Sequence, residues 1–215
     1  PIDEETVTFG VRSLHWTAET GFELNGVPTK ILGCANHQDF PAVGVAVPDS
    51  FQAYRIRKLK EFGSNAWRTA HNPPNVALLD AADKLGMLVW DENHHNGRED
   101  EMALLVRRDR NHPSIFIWSI CNEALCRTDD TLGDATRLKK VVETLDPLMG
   151  RVISANENLL NGPRSILDVQ GFDYDTDKYD ALHKVAPAIP AIGSEVSSAV
   201  SDRGEYENNK EAGHV

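Results

Sequence analysis

Short apolar runs alternate with longer amphipathic runs along most of the chain. Several of the short runs are apolar at successive positions, which is typical of parallel strands that are covered by helices. Seven strands are predicted in this way, at residues 30–36, 64–70, 87–92, 114–120, 151–156, 167–174 and 190–195.

The amphipathic runs carry helix start and stop signals. Asp49 is a suitable N-cap for a first helix, which Gly63 ends, and a second helix runs from about Pro74 to Gly86. Three further helices are predicted at residues 99–109, 134–145 and 176–186. The inner side of the first helix is expected to carry Phe51, Tyr54, Leu59 and Phe62.

Alternation of strands and helices at this spacing predicts an α/β fold, and seven strands indicate an incomplete (β/α)8 TIM-barrel-like domain over residues 30–215. The residues after Glu195 contain no clear eighth strand. Residues 1–29 are predicted to be an N-terminal β segment in which Asn25-Gly26 forms a hairpin turn. We interpret this segment either as the remnant of a preceding domain or as a plug under the barrel.

Composition narrows the class of protein. A chain of 215 residues with 40% hydrophobic and 26% charged residues suits one globular domain. The net charge of −11 argues against nucleic acid and anionic membranes as partners. No membrane span or signal peptide is recognisable, and Cys34, Cys121 and Cys126 form no disulfide framework. Reduced thiols and a cytoplasmic location are expected, with a periplasmic or secreted one left open.

Polar side chains follow the predicted strands where each strand ends. In parallel α/β barrels the carboxyl ends of the strands form the active site, so these side chains are expected to converge. They are His37, Asp39, Arg68, His71, Asp91, Glu92, Asn122, Glu123, Asp173, Tyr174 and Glu195.

Each of these residues also has a purely structural interpretation. A glutamate after a strand is usually a solvated loop residue. Asp91 and Glu92 suit a helix cap and an ion-pair partner for Arg68, and His37 and His71 suit a protein core. Convergence at one end of one sheet favours a functional site over these alternatives.

Two glutamates carry the sharpest chemical hypothesis. Glu123 follows an apolar strand and Glu195 ends the last predicted strand, so only folding brings them together. Retaining glycosidases place two carboxyl groups about 5–5.5 Å apart, one as nucleophile and one as acid and then base.

Three stretches resemble the catalytic barrel of glycoside hydrolase family 2, which includes β-galactosidases, β-glucuronidases and β-mannosidases. They are RTAHNPPNVALLDAADKLGMLVWDE (68–92), RRDRNHPSIFIWSICNE (107–123) and IGSEVSSAVSDRGEY (192–206), and the resemblance covers residues 30–206. The middle stretch is the most specific, because Arg-Asn-His-Pro-Ser precedes the strand and Asn-Glu follows it.

The resemblance implies catalytic roles for two residues, Glu123 as acid/base and Glu195 as nucleophile. It implies that Asn122 binds the sugar 2-hydroxyl and that Arg68 keeps the nucleophile ionised. The remaining residues that it places in the sugar pocket are His37, Asp39, His71, Asp91 and Tyr174. Glu123 is expected to hold its proton near neutral pH in an apolar setting beside Trp118.

The chain also departs from the family. The β-sandwich domains, the eighth strand with its aromatic residue, and the helix between strands five and six (157–166) are not recognisable. Some β-galactosidases bind magnesium after strand three, but NHHNGRED (93–100) has no clear carboxylate at that position. We therefore expect no cofactor, and Mg²⁺ is not supported.

These observations predict a retaining exo-β-glycosidase acting on terminal β-D-galactosides. A β-glucuronidase or β-mannosidase of the same family is an alternative, although no basic cluster for a sugar carboxylate is visible. A weakly active or inactive truncated barrel is a second alternative. A metal-dependent hydrolase built on His37, Asp39, His71 and Asp91 is a third. A homo-oligomer is expected to cover the open barrel edge.

Overall fold

The N-terminal part of the chain contains three short strands. The structure is a computed structural model of the 215-residue protein, and it describes residues 2–94, 98–123, 131–147, 150–156 and 165–197. The first sheet is antiparallel and consists of β1 (Leu14–Thr17), β2 (Gly21–Leu24) and β3 (Val27–Pro28).

Seven further strands form one parallel sheet in which each strand pairs with the next along the chain. They are β4 (Gly33–Ala35), β5 (Ala66–Arg68), β6 (Leu88–Glu92), β7 (Ile115–Asn122), β8 (Val152–Asn156), β9 (Val169–Asp173) and β10 (Ala191–Glu195). This sequential order is that of a (β/α)8 barrel. The predicted TIM-barrel-like α/β fold with seven recognisable parallel strands is confirmed.

Five helices cover the outside of the sheet. They are α1 (Asp49–Glu61), α2 (Val76–Leu85), α3 (Glu99–Asp109), α4 (Leu132–Leu145) and α5 (Tyr179–Val185), the last preceded by a 3-10 turn at Thr176–Lys178. Leu79, Met102 and Leu138 from three of these helices are buried in one core with sheet residues. Burial of this kind holds the strand ends in fixed positions.

The ends of α2 agree with the sequence signals. The Asn75 side chain accepts a hydrogen bond from the Ala77 backbone N–H over 2.8 Å, and Gly86 ends the helix with a φ of 68°. A left-handed φ at a helix end favours glycine, which has no Cβ to clash with the backbone.

The predicted inner side of α1 is confirmed for Leu59, which packs against the core, and is wrong for Tyr54 and Phe62, which are exposed. Gln52 and Ile56 are its buried residues, whereas Phe62 is 86% exposed and Tyr54 42% exposed. The aromatic residues instead pack beside one another on the surface, with the ring centroids of Phe51 and Tyr54 4.9 Å apart. Ile56 is buried in the core and Ala53 and Leu59 pack against it, so the buried side of α1 is offset from Tyr54 and Phe62.

The first sheet packs against the inner face of the barrel. Trp16 and Phe22 contact the ring of Phe116, which lies near the start of β7, with centroids 5.9 and 5.4 Å away. Asn25 and Gly26 both have positive φ, 53° and 74°, as a two-residue hairpin turn of type I′ requires. This packing favours the plug interpretation, and the domain boundary after residue 29 stays a prediction.

Within the described ranges, the first and last strands of the barrel do not pair with each other. In the described part of the chain β4 and β10 are the two edges of the sheet, and β4 is exposed throughout. A cavity of about 840 Å³ lies between them. Residues from 198 onward and residues 157–164 lie outside the described ranges, so the predicted absence of an eighth strand and of a helix there is not tested. The homo-oligomer stays a prediction.

The cysteines differ from expectation at one position. Cys34 is free, but Cys121 at the end of β7 is disulfide-bonded, so the prediction of a reduced thiol is wrong for that residue. Apolar neighbours in a sequence do not distinguish a buried thiol from a half-cystine. Cys126 lies outside the described residues. None of the described helices has the length and apolar character needed to cross a membrane.

Candidate active site

Arg68 is the centre of a hydrogen-bonded cluster at the carboxyl ends of the strands. Its guanidinium donates to both oxygens of Glu92, over 2.9 and 3.0 Å. It also donates to Glu195 Oε1 over 2.6 Å and to Asn122 Oδ1 over 2.5 Å. These partners come from β6, β10 and β7, so one side chain at the end of β5 connects four strands.

The charges around Arg68 compensate for its burial. The side chain is only 4% exposed, and burial alone would lower its pKa, but the neighbouring charges of Glu92 and Glu195 outweigh this effect and raise the pKa. Glu92 is fully buried. The guanidinium is therefore a fixed positive charge beside Glu195.

Glu195 is held as a carboxylate. Its Oε1 accepts from Arg68, its Oε2 accepts from the hydroxyl of Tyr174 over 2.6 Å, and His71 Nε2 lies 3.4 Å from Oε1. Burial would raise the pKa of Glu195, but the hydrogen bonds from Tyr174 and Arg68 outweigh it and lower the pKa. An ionised carboxylate in this position is suited to nucleophilic attack.

Two histidines lie beside the cluster. His71 Nδ1 is 2.8 Å from Glu92 Oε1, which orients the ring, and its other nitrogen faces Glu195. The rings of His37 and His71 meet edge to face with centroids 5.2 Å apart. His37, which follows β4, is exposed and extends the cluster toward solvent.

Glu123 follows β7 and lies opposite Glu195. Glu123, Asp173 and Glu195 each place one carboxyl oxygen within 4.8 Å of the other two. Glu123 has a φ of 41° and Tyr174 a φ of 64°, both in the left-handed region that non-glycine residues seldom adopt. Such a conformation costs on the order of 1–3 kcal/mol and is often found at functional sites, where it turns a side chain into a pocket.

Tyr174 is a hydrogen-bond donor to Glu195. The hydrogen bond to that carboxylate is the main cause that raises the pKa of Tyr174 to about 12. The phenol therefore keeps its proton at neutral pH. Tyr174 is 47% exposed, so its ring also borders the open side of the cluster.

Asp173 is a third carboxyl group in the same place. It is 1% exposed, and its Oδ1 accepts a hydrogen bond from the Ser194 hydroxyl over 2.5 Å. Burial is the main cause that raises the pKa of Asp173 to about 6. The sequence placed Asp173 at a strand end without a role, and neither Ser194 nor its hydrogen bond had any sequence signal.

Glu92 was predicted to lie among the converging strand ends, with an ion pair to Arg68 as its structural interpretation, and the two contacts described above show that ion pair. Its signal was the pair of carboxylates at the end of an apolar strand. The pair has one member on each face of the sheet, because side chains alternate along a strand.

Asp91 is outside the cluster, contrary to the role predicted for it. Glu92 bonds Arg68 inside the barrel, so the preceding side chain points to the helices. There Asp91 interacts with Asp109 on α3, and burial followed by that neighbouring carboxyl raises the pKa of Asp91 well above its ordinary value. The structure therefore does not bring Asp91 together with His37 and His71, as the metal-hydrolase alternative requires.

Asp39 and Trp118 also lie outside the cluster around Arg68. Asp39 is exposed on the segment between β4 and α1 and interacts with Arg55. Trp118 is buried in the core beneath the helices, where its Nε1 donates to Asp146 Oδ2 over 2.8 Å. Trp118 does not supply the apolar setting expected for Glu123. His94, in the loop after β6, is exposed and forms a hydrogen bond with the Asn72 side chain. His95 lies outside the described residues.

The three carboxyl groups are also the one set of His, Cys, Asp or Glu side chains in the described ranges compact enough to hold a metal ion. Both oxygens of Glu195 already accept protein hydrogen bonds, one of them from a guanidinium cation. A second cation at Glu195 would be repelled by Arg68. We therefore assign no metal to this cluster.

Comparison with known families identifies the architecture. The family model for "Glycosyl hydrolases family 2, TIM barrel domain" matches residues 17–99 and 94–180. The chain belongs to glycosyl hydrolase family 2. Family 2 relatives include "Beta-galactosidase BoGH2A" of Bacteroides ovatus, 30% identical over 95% of this chain and 30% of its own length. A "Putative beta-glucuronidase" of Formosa agariphila is 32% identical over 95% of this chain and 20% of its own length.

Solved family 2 structures have the same fold. A glycosyl hydrolase family 2 member from Bacteroides cellulosilyticus superposes with a TM-score of 0.79 at 33% identity, over 86% of this chain and 26% of that one. A β-glycosidase from Bacteroides vulgatus gives a TM-score of 0.77 at 33% identity, over 92% and 27%. The chain thus spans less than a third of the length of these relatives.

Proposed function

We propose that this chain carries the catalytic barrel of a retaining exo-β-glycosidase that hydrolyses terminal β-D-galactosides. The separation of Glu123 and Glu195 carries the proposal, since one carboxyl oxygen of each lies within 4.8 Å of the other. Retaining glycosidases place the two groups about 5–5.5 Å apart, whereas inverting enzymes need about 6.5–9.5 Å to admit a water molecule. The distance therefore favours double displacement.

In the first step Glu195 attacks the anomeric carbon while Glu123 donates its proton to the departing glycosidic oxygen. The bond from the anomeric carbon to that oxygen breaks, a glycosyl ester of Glu195 forms, and the aglycone leaves as an alcohol. Arg68 and Tyr174 support this step because they keep Glu195 ionised and orient it.

In the second step water attacks the anomeric carbon of the ester. Glu123, now ionised, takes a proton from that water, the ester bond breaks, and Glu195 returns as a carboxylate. Two inversions at the anomeric carbon give net retention. The same pair of carboxyl groups thus serves both halves of the reaction.

Two neighbours are proposed to hold the sugar. Asn122 Oδ1 accepts from Arg68, which turns the amide N–H groups of Asn122 toward another partner, and the sugar 2-hydroxyl fits that role. His71 and His37 line the approach to Glu195 and suit hydrogen bonds to further hydroxyls. Asp39 and Asp91 are not proposed as sugar contacts.

A galactoside is preferred to a glucuronide on electrostatic grounds. A uronic acid carries a carboxylate, which a cation in the pocket should bind. Arg68 is already bonded to Glu92, Glu195 and Asn122, so it is poorly placed to bind a second acid. Relatives of both kinds, β-galactosidases and β-glucuronidases, match this chain, and substrate comparison has to decide between them.

The test is a substrate panel on the full 215-residue chain. We expect aryl β-galactoside to be hydrolysed with a higher kcat/KM than aryl β-glucuronide or β-mannoside. Glu195→Gln should lower that value at least about a thousandfold. Glu143→Gln, an exposed change on α4, is the matched control. No turnover of any of the three sugars would support the inactive-barrel alternative, and loss of activity in chelator would support the metal-dependent one.

A further inference from the structure

Asp173 is buried between the two catalytic candidates. One of its carboxyl oxygens lies within 4.8 Å of a carboxyl oxygen of Glu123 and of Glu195, and the residue is 1% exposed. Two carboxyl groups suffice for double displacement, so the mechanism proposed above does not account for this third one. Since Asp173 is almost completely buried, it is placed to act on the two glutamates rather than on the sugar.

The groups that face Asp173 come from several strands. The positive charge of Arg68 reaches it from β5, and the hydroxyl of Ser194 on β10 donates to it over 2.5 Å. Glu195 on β10, Glu123 after β7 and the phenol of Tyr174 supply the remaining neighbours. Burial, Glu195 and Glu123 favour its neutral form, while Ser194 and Arg68 favour its ionised form, which leaves its pKa at about 6. With this pKa, Asp173 is mostly ionised at pH 7 and gains a proton as the pH falls through about 6.

We propose that Asp173 is a positioning residue whose negative charge keeps the acid proton on Glu123. Two carboxylates this close repel each other strongly in a site shielded from water. Once Asp173 is ionised, a second negative charge on Glu123 becomes unfavourable, so Glu123 retains the proton that it must donate. The inference rests on the proposed glycosidase function and adds a residue to it.

The same charge also helps the second half of the reaction. When Glu195 becomes an ester, its negative charge disappears, and Glu123 has lost its proton to the aglycone. Ionised Asp173 then remains as the negative neighbour that favours return of a proton to Glu123 as it takes one from water. Asp173 itself forms no bond to the sugar in either step.

The electrostatic coupling between Asp173 and the two glutamates can be measured without turnover, by carboxyl-carbon NMR titration of the full chain. We expect the titration midpoint of Glu123 to fall by about half a pH unit or more in Asp173→Asn, and that of Asp173 to fall by a similar amount in Glu195→Gln, because each change removes a repelling charge. Asp175→Asn, two residues away and paired with Lys178, is the matched control and should leave both midpoints unchanged. An unchanged Glu123 midpoint in Asp173→Asn would overturn the proposal.

Kinetics provide the second readout. Asp173→Asn preserves the shape of the side chain and its acceptor for Ser194 but removes the charge. The alkaline limb of the kcat/KM profile should move about one pH unit lower. Ser194→Ala should move it in the same direction by less, because Asp173 then ionises less readily. Identical profiles for Asp173→Asn and Asp175→Asn would contradict the assigned role. An inactive wild-type chain would count against the glycosidase proposal, while the NMR titration would still decide the coupling.

Discussion

Tyr174 and Glu195 are joined twice. The Tyr174 hydroxyl donates to Glu195 Oε2 over 2.6 Å, and the Tyr174 backbone N–H donates to the Glu195 carbonyl oxygen over 2.5 Å. The backbone contact ties the segment after β9 to the end of β10. The side-chain contact therefore starts from a fixed geometry, and removing the hydroxyl alone should leave the backbone contact in place.

The Tyr174→Phe variant tests that contact. A hydrogen bond to a charged group contributes about 1.5–3 kcal/mol, so kcat should fall about tenfold to a hundredfold. Loss of the donor also raises the pKa of Glu195, because that hydrogen bond is the main influence lowering it. The acid limb of the kcat/KM profile should then move to higher pH. Tyr54→Phe on the surface of α1 is the control, and an unmoved acid limb in Tyr174→Phe would contradict this role.

The role of Glu123 as an acid is tested by the leaving group. A dinitrophenolate leaves without protonation, whereas a sugar or alkyl alcohol needs a proton donor. Glu123→Gln should therefore lower the first-step rate by about 10²–10⁴-fold for an alkyl β-galactoside and by far less for the dinitrophenyl galactoside. Equal losses with both substrates, measured by single-turnover kinetics, would indicate that Glu123 is not the acid.

Asp91 offers a prediction about stability. Its folded-state pKa is raised, so its contribution to stability is fully present below the unfolded-state pKa and is lost as pH rises through the folded-state value. Asp91→Asn removes this dependence and can still bond Asp109. The variant should become more stable than wild type toward neutral pH, by about 1 kcal/mol or more.

Urea unfolding at pH 5 and pH 8 checks this expectation for Asp91→Asn. Asp80→Asn, an exposed change on α2, should show no such difference between the two pH values. A variant that is less stable than wild type at pH 8 would show that the buried carboxyl is needed in its charged form.

The Asn-His-Pro-Ser segment before β7 has a structural role. Asp83 on α2 accepts from His112 Nδ1 over 2.7 Å and from the Ser114 backbone N–H over 2.9 Å. Burial would raise the pKa of Asp83 and lower that of His112, but their hydrogen bonds outweigh it and shift both the other way. The contribution of Asp83 is then lost as pH falls through its lowered pKa. That of His112 is lost as pH rises through its raised pKa.

Asp83→Ala should therefore lower the free energy of unfolding by about 1–2 kcal/mol, since the pair is partly exposed. The difference in the free energy of unfolding between Asp83→Ala and wild type should be largest at pH values between the pKa of Asp83 and that of His112, and smaller below and above that range. Denaturant melts across pH 3 to 9 measure this difference, and Glu143→Gln, an exposed change on α4, is the control. A difference that does not depend on pH would contradict the ionised pair.

The sequence predicted the barrel well because its strands are apolar and its second helix has a clear end, as Gly86 illustrates. It also predicted that Arg68, Asn122, Glu123 and Glu195 converge, because the carboxyl ends of parallel strands meet at one edge. The distances between these residues follow from strand order and register, which no local pattern encodes.

Orientation was the harder property to predict. In a strand that is buried on both faces, apolar residues do not reveal which neighbours point inward, so Asp91 and Trp118 were assigned to the pocket although both face the helices. Glu92, the next residue along β6, points to the opposite face of the sheet from Asp91 and therefore lies in the site. Asp173 gave no signal of its own, because its importance depends on its closeness to Glu123 and Glu195.

A covalent bond between the sugar and Glu195 is the central step of the proposed mechanism. A 2-deoxy-2-fluoro-β-galactoside with a good leaving group should slow both steps but the second more, so that the ester accumulates. Peptide mass mapping after this treatment is predicted to place one fluorogalactosyl group on the peptide that contains Glu195. An adduct on another carboxylate, or steady hydrolysis with inversion and no adduct, would contradict the account.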